Sequence, residues 1–159
     1  MDRNEEKWKE VLAAAKAGQD KIEQQRQDLK EEAQRRNDER DRLNRVWNKI
    51  VEIELVEQIK KLNADLKEAG VPTITRQAIT ASLPAHSSDI VYVTEGLRRG
   101  SHLKIILSRL DSQLRVTYKN DAVASAKTDS SASYKLDELD PRSVAIDIVR
   151  KVTELRTPK

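Results

Sequence analysis

The chain of 159 residues contains no cysteine and no phenylalanine. The first absence removes disulfides, thiolate metal sites and cysteine nucleophiles, and it fits a reducing compartment. The second leaves Trp8, Trp47, Tyr92, Tyr118 and Tyr134 as the only aromatic residues. Large rings usually dominate cores and interface hot spots. Here Leu, Ile, Val and Ala must do that packing, so a thin core is expected. The opening Met1-Asp2-Arg3-Asn4-Glu5-Glu6 carries no apolar stretch of the kind a secretory signal needs. Apolar runs are only a few residues long, too short for a membrane span. The expectation is a cytoplasmic protein with no membrane contact.

Catalytic signatures are also missing. His86 and His102 are the only histidines, and neither has a His, Asp or Glu at metal-ligand spacing. His102 follows Ser101, but no carboxylate or nucleophile turn completes a triad. Gly96-Leu97-Arg98-Arg99-Gly100 lacks the Gly and Lys spacing of a phosphate loop and the following helix. No catalytic residue, metal ligand or cofactor is therefore expected, and the chain reads as non-enzymatic.

What is present is charge. Hydrophobic residues make up 37 % and charged residues 36 %, against roughly 45–50 % and about 25 % in average globular chains. Such a balance suits long solvated helices better than a single globule. Residues 1–70 hold 16 Lys/Arg against 17 Asp/Glu, and residues 71–159 hold 14 against 10, which together give the net +3. A balanced first half argues against a nucleic-acid-binding arm, and the second half is mildly basic.

From Asn4 to Ala69 there is no proline and a single glycine, Gly18, among mostly strong helix formers. Ala69-Gly70-Val71-Pro72 marks the stop. A helix over this stretch would be roughly 100 Å long, more than one small domain covers. Gly18 is the expected point of any interruption. Trp8, Ala15, Ile22, Leu29, Leu43 and Ile50 recur at one heptad position, broken by Arg36. Leu12, Ala33 and Trp47 lie four positions later, and Val11, Val46 and Ile53 three later. A period of seven marks a coiled-coil seam. Trp8, Leu12, Ala15, Ile22, Leu29, Leu43, Val46, Trp47 and Ile50 are its expected members. Gln19, Arg26 and Arg40 thin it, which favours two strands: a homodimer, or pairing with a partner protein's helix. The charged run Lys30–Arg42 alternates in sign, as a solvated helix face does.

From Val46 onward apolar residues surround the helix, so residues 43–69 are expected to dock on the C-terminal domain, with the seam moving to Leu55, Ile59, Leu62, Leu66 and Ala69. The expected division is a charged helix over 1–42 and an α+β domain over 43–159. In that domain Ile90–Thr94, Leu103–Ser108 and Leu114–Lys119 alternate as half-buried strands, with Asp111-Ser112 and Asn120-Asp121 as turns. An Ala-rich edge strand, Ala122–Lys127, would complete an antiparallel β-meander over about 90–127. Thr80–Ser88 and Ser125–Ser133 read as loops, and Thr75–Leu83 as a short helix or a strand near Ile74. Asp140 as N-cap and Pro141 at N1 open a helix over 141–156, with Val144, Ala145, Ile148, Val149, Val152 and Leu155 facing the sheet. Arg98 and Arg99 on a hairpin, with Lys104, Arg115 and Lys119 on the outward sheet face, form a possible anion- or partner-binding patch. The same charges would also guard a sheet against aggregation. Nucleic acid is the alternative partner, although no aromatic residue interleaves with the patch for base stacking.

Overall fold

The computed structural model describes residues 2–77, 89–120 and 130–158. The architecture is α+β. Helix α1 covers Arg3–Trp47 and a π-helical stretch covers Asn48–Leu55; α2 covers Val56–Glu68. Strands β1 (Thr75–Arg76), β2 (Ile90–Glu95), β3 (His102–Leu110), β4 (Gln113–Asn120) and β5 (Ser130–Lys135) follow, and α3 (Pro141–Arg156) closes the order. The chain divides into two compact units, 1–42 and 43–159. Among the described residues, no helix is long and apolar enough to cross a membrane.

The first unit is helix alone, about 60 Å of it at 1.5 Å per residue. Gly18, the expected point of any interruption, does not break it. A glycine costs a helix interior only about 1 kcal/mol, and the Ala13–Ala17 run and the residues beyond it absorb that. Polar side chains satisfy one another one turn apart. Gln24 donates to Asp28 at 2.9 Å, Gln34 to Asp38 at 2.9 Å, and Arg36 to Glu32 at 2.6 Å. Such pairs add a few tenths of a kcal/mol each, so a charged helix holds without a covering layer.

The second unit is built on one sheet. The five strands lie in the order β1-β2-β3-β4-β5, each antiparallel to the next. Alternation divides its faces. Ile90, Tyr92 and Thr94, then Leu103, Ile105 and Leu107, then Leu114, Val116 and Tyr118 are buried on one side. The helical residues Leu43, Trp47, Val51, Leu55 and Ile59 and the α3 residues Val144, Ala145, Ile148 and Val152 fill the same core. Val149 and Leu155 pack against it only partly. Asp140 occupies the N-cap position of α3 with Pro141 behind it, but its carboxylate makes no capping hydrogen bond.

The π stretch explains how the long helix serves this core. Its five buried residues recur every four positions. At about 3.6 residues per turn each such step rotates a side chain by about 40°, so five of them would wind about 160° round the axis. In the π stretch Val56 N–H reaches back to the Val51 carbonyl, five residues earlier. The wider turn counters the drift, and all five side chains stay on one face. Ile53 is left 67 % exposed. The heptad reading assigned Leu43 and Trp47 to an intermolecular seam. They are 8 % and 2 % exposed and occupied by this unit's own core, with Val46 and Ile50 half-buried against it.

Helix α2 stops where expected. Gly70, at φ +74°, adopts the left-handed conformation. Its N–H bonds the Lys67 carbonyl at 3.1 Å and Val71 N–H bonds that of Leu66 at 2.9 Å, a Schellman ending. Asn63 then fastens the returning chain. Its amide donates to the Ile74 carbonyl at 2.7 Å and its oxygen accepts from Ile74 N–H at 2.9 Å. Replacing Asn63 with Ala should cost about 1–3 kcal/mol by stranding both backbone groups, read as a lower urea midpoint with an unchanged slope.

One expectation for the strands needs correction. The last described strand is Ser130–Lys135, outside the expected 90–127 range and across residues read as loop. Ser130, Ser131 and Ser133 have weak strand preference, and it is pairing with β4 that makes them a strand, through Val116 opposite Ala132 and Leu114 opposite Tyr134. That context outweighs local propensity. The expected edge strand Ala122–Lys127 lies outside the described residues. Of Thr75–Leu83, the structure shows strand pairing at Thr75–Arg76, and residues 78–83 lie outside the described set.

Candidate interaction surfaces

Three surfaces stand out. The first is the apolar stripe of residues 3–42. Trp8, Leu12, Ile22 and Leu29 are 61 %, 54 %, 44 % and 66 % exposed, and Ala15 is exposed beside them. Nothing within their unit covers them. Val11, at 57 %, widens the stripe near Trp8.

The second is the outer face of the sheet. Lys104 and Lys119 face each other directly across β3 and β4, and Arg115 stands opposite Ser108 on the same face. Arg115 lies four residues along β4 from Lys119, about 13 Å. Like charges in direct cross-strand register are destabilising, so Lys104 and Lys119 would both gain from an anion between them. Thr117 and Ser131 pair on this face, which adds hydroxyls beside the cations. Val91, Val93 and Ile106 are half-buried at its centre. Arg98 and Arg99 are exposed on the loop before β3. That loop is closed by Gly96 N–H to the Ser101 carbonyl at 2.9 Å and by the Ser101 hydroxyl to the Arg98 carbonyl at 2.6 Å. The structure thus brings Lys104 and Lys119 together, sets Arg115 farther along the same face, and keeps the arginine pair on a separate loop. All three tyrosines belong to the other face, since Tyr134 stands opposite the buried Leu114.

The third is a cleft of about 250 Å³ where β4 and β5 meet α3, lined in part by Tyr118, Tyr134, Asp147 and Arg150. Tyr134 donates to Asp147 at 3.3 Å, and Arg150 approaches the same carboxylate at 3.5 Å. The Ser130 hydroxyl is buried without a partner. Sequence reasoning missed this group, because it depends on the β4–β5 register and on α3 crossing it. Only the α3 periodicity pointed to the area. The cleft offers neutral phenols and a carboxylate already engaged by Tyr134 and Arg150. Among the described residues, no three His, Asp or Glu groups gather as metal ligands do.

Burial pushes all three phenols above their ordinary value of 10.0. At Tyr118 the nearby Tyr134 and Asp147 add to the effect, and at Tyr134 Asp147 adds to it. Arg76 opposes it at Tyr92. A pKa raised in the folded state leaves stability intact below the unfolded value. Above pH ~10 the unfolded chain ionises first, and stability falls by up to about 1.4 kcal/mol per pH unit for each of the two buried phenols, Tyr92 and Tyr118. Urea midpoints should therefore be level between about pH 7 and 9 and drop clearly by about pH 11.

Comparison with protein-family models, with curated proteins and with solved structures finds no match to this chain.

Proposed function

We propose that the chain is a non-enzymatic interaction module: residues 3–42 associate with a second copy as a coiled coil, and residues 43–159 are the α+β domain so paired. The observation that carries this reading is the uncovered stripe of Trp8, Ala15, Ile22 and Leu29 at seven-residue spacing, with Leu12 four residues after Trp8. A helix that exposes large apolar side chains in a regular line is suited to burying them against a like helix. The cytoplasm is the compartment this reading assumes. Light scattering on the full chain over a dilution series should give twice the 18.1 kDa chain mass, falling toward one chain on dilution. A single-chain mass at every concentration would remove the self-association.

The Lys104–Lys119 pairing favours one second reading, in which the outer sheet face binds nucleic-acid phosphates. With every tyrosine on the other face, such binding would be electrostatic and not base-stacked, and it would weaken steeply with salt. A duplex or single strand that is not retarded by the protein at low salt excludes it.

A further inference from the structure

We infer that two copies of the 3–42 helix pair antiparallel, in the register that sets Leu12 of each copy against Leu29 of the other. The inference rests on the self-association proposed above and adds its direction and alignment. With Trp8, Ala15, Ile22, Leu29 and Arg36 on one seam position, Glu5, Leu12, Gln19, Arg26, Ala33 and Arg40 fall on the other. Parallel in-register pairing stacks each residue on its own copy. Arg26, Arg36 and Arg40 would then each meet an identical arginine, and like charges at the seam of a desolvated interface are strongly unfavourable.

Antiparallel pairing opposes one seam position to the other instead. When Leu12 meets Leu29, Gln19 meets Ile22, and Ala15 meets Arg26, whose long stem can cover the small side chain while its head reaches water. Ala33 meets Trp8, a small residue opposite the largest one. Arg36 meets Glu5, so opposite charges close each end. The Leu12–Leu29, Trp8–Ala33 and Glu5–Arg36 layers are thereby matched in apolarity, size or charge, and Gln19 against Ile22 is the unmatched one. Sliding one heptad sets Glu5 against Leu29 in one direction, where Leu12 then meets Ile22, and Leu12 against Arg36 in the other; both lose the Leu12–Leu29 and Glu5–Arg36 layers. The flanking positions do not decide between directions: Lys16 then lies near Glu23 of the other copy, and Lys9 near Lys30. Polar seam residues are known to fix alignment in this way at some cost in affinity.

The lack of cysteine makes the test direct, since one introduced thiol takes one spin label. Asp20 and Gln34 are both exposed and both face away from the seam. In full-length Asp20→Cys the two labels of a dimer should lie almost level along the axis. In Gln34→Cys they should be offset by about 40 Å, at 1.5 Å per residue, so electron–electron dipolar distances should be far longer for Gln34→Cys. Equal short distances in both variants would mean parallel pairing and overturn the inference while leaving self-association standing. A Gln34→Cys offset about 10 Å longer or shorter, at 1.5 Å per residue, would mean a register one heptad away and overturn it too. If scattering shows a single chain at labelling concentrations, the proposed function fails first and the inference with it.

Discussion

Replacing Leu12 with Asp should abolish self-association and leave the 43–159 domain untouched. Leu12 is more than half exposed in the single chain, so the substitution removes nothing from the chain's own packing. In a symmetric pair it removes two buried leucines and leaves two carboxylates at the seam. Each leucine contributes about 1.5–3 kcal/mol when buried. The dimer should therefore lose about 3–6 kcal/mol, or roughly a hundred- to ten-thousand-fold in dissociation constant. Asp costs a helix interior less than about 1 kcal/mol relative to Leu, so helix content at high concentration should change little. The readouts are sedimentation for mass and thermal unfolding for the domain. A variant that dimerises as the parent does would move the contact off the stripe.

Replacing Leu55 with Ala should strike the other unit. Leu55 is fully buried at the end of the π stretch and packs into the sheet core. Leu-to-Ala changes at such sites cost about 2–5 kcal/mol through lost transfer energy and the cavity left behind. That is a large part of the roughly 5–15 kcal/mol that holds a domain. Ile53 stands two residues earlier in the same stretch but is mostly exposed. Ile53→Ala should stay within about 0.5 kcal/mol. The contrast tests whether the π turn, and not a plain α-helical continuation, decides which residues face the sheet. A similar cost at both positions would contradict that account. Chemical denaturation of the two variants beside the parent measures it.

Much of this fold was legible in the sequence because its signals are local. The alternation in Ile90–Thr94, Leu103–Ser108 and Leu114–Lys119, the Gly70–Pro72 stop and the Val144–Val152 face each declare an element within a few residues. Two features were not legible. The β5 strand is serine-rich and takes its conformation from β4, a pairing that no local propensity encodes. The four-residue spacing from Leu43 to Ile59 overlaps the heptad at Leu43 and Trp47, so the seven-residue pattern drew those two into a seam they do not serve. Of the surfaces, the shared outward face of Lys104, Arg115 and Lys119 followed from strand alternation, while the placing of Lys104 opposite Lys119 needed the β3–β4 register. The cleft around Tyr134 and Asp147 needed the three-dimensional register of a strand and a helix far apart in the chain.

The division of labour between residues 3–42 and 43–159 is tested most directly by sedimentation equilibrium on a chain beginning at Leu43, run beside the full chain. The account predicts a folded monomer for the shorter chain, with its cooperative unfolding retained, and a reversible dimer for the full chain. A shorter chain that still dimerises would place self-association on the α+β domain and contradict the assignment to the helix.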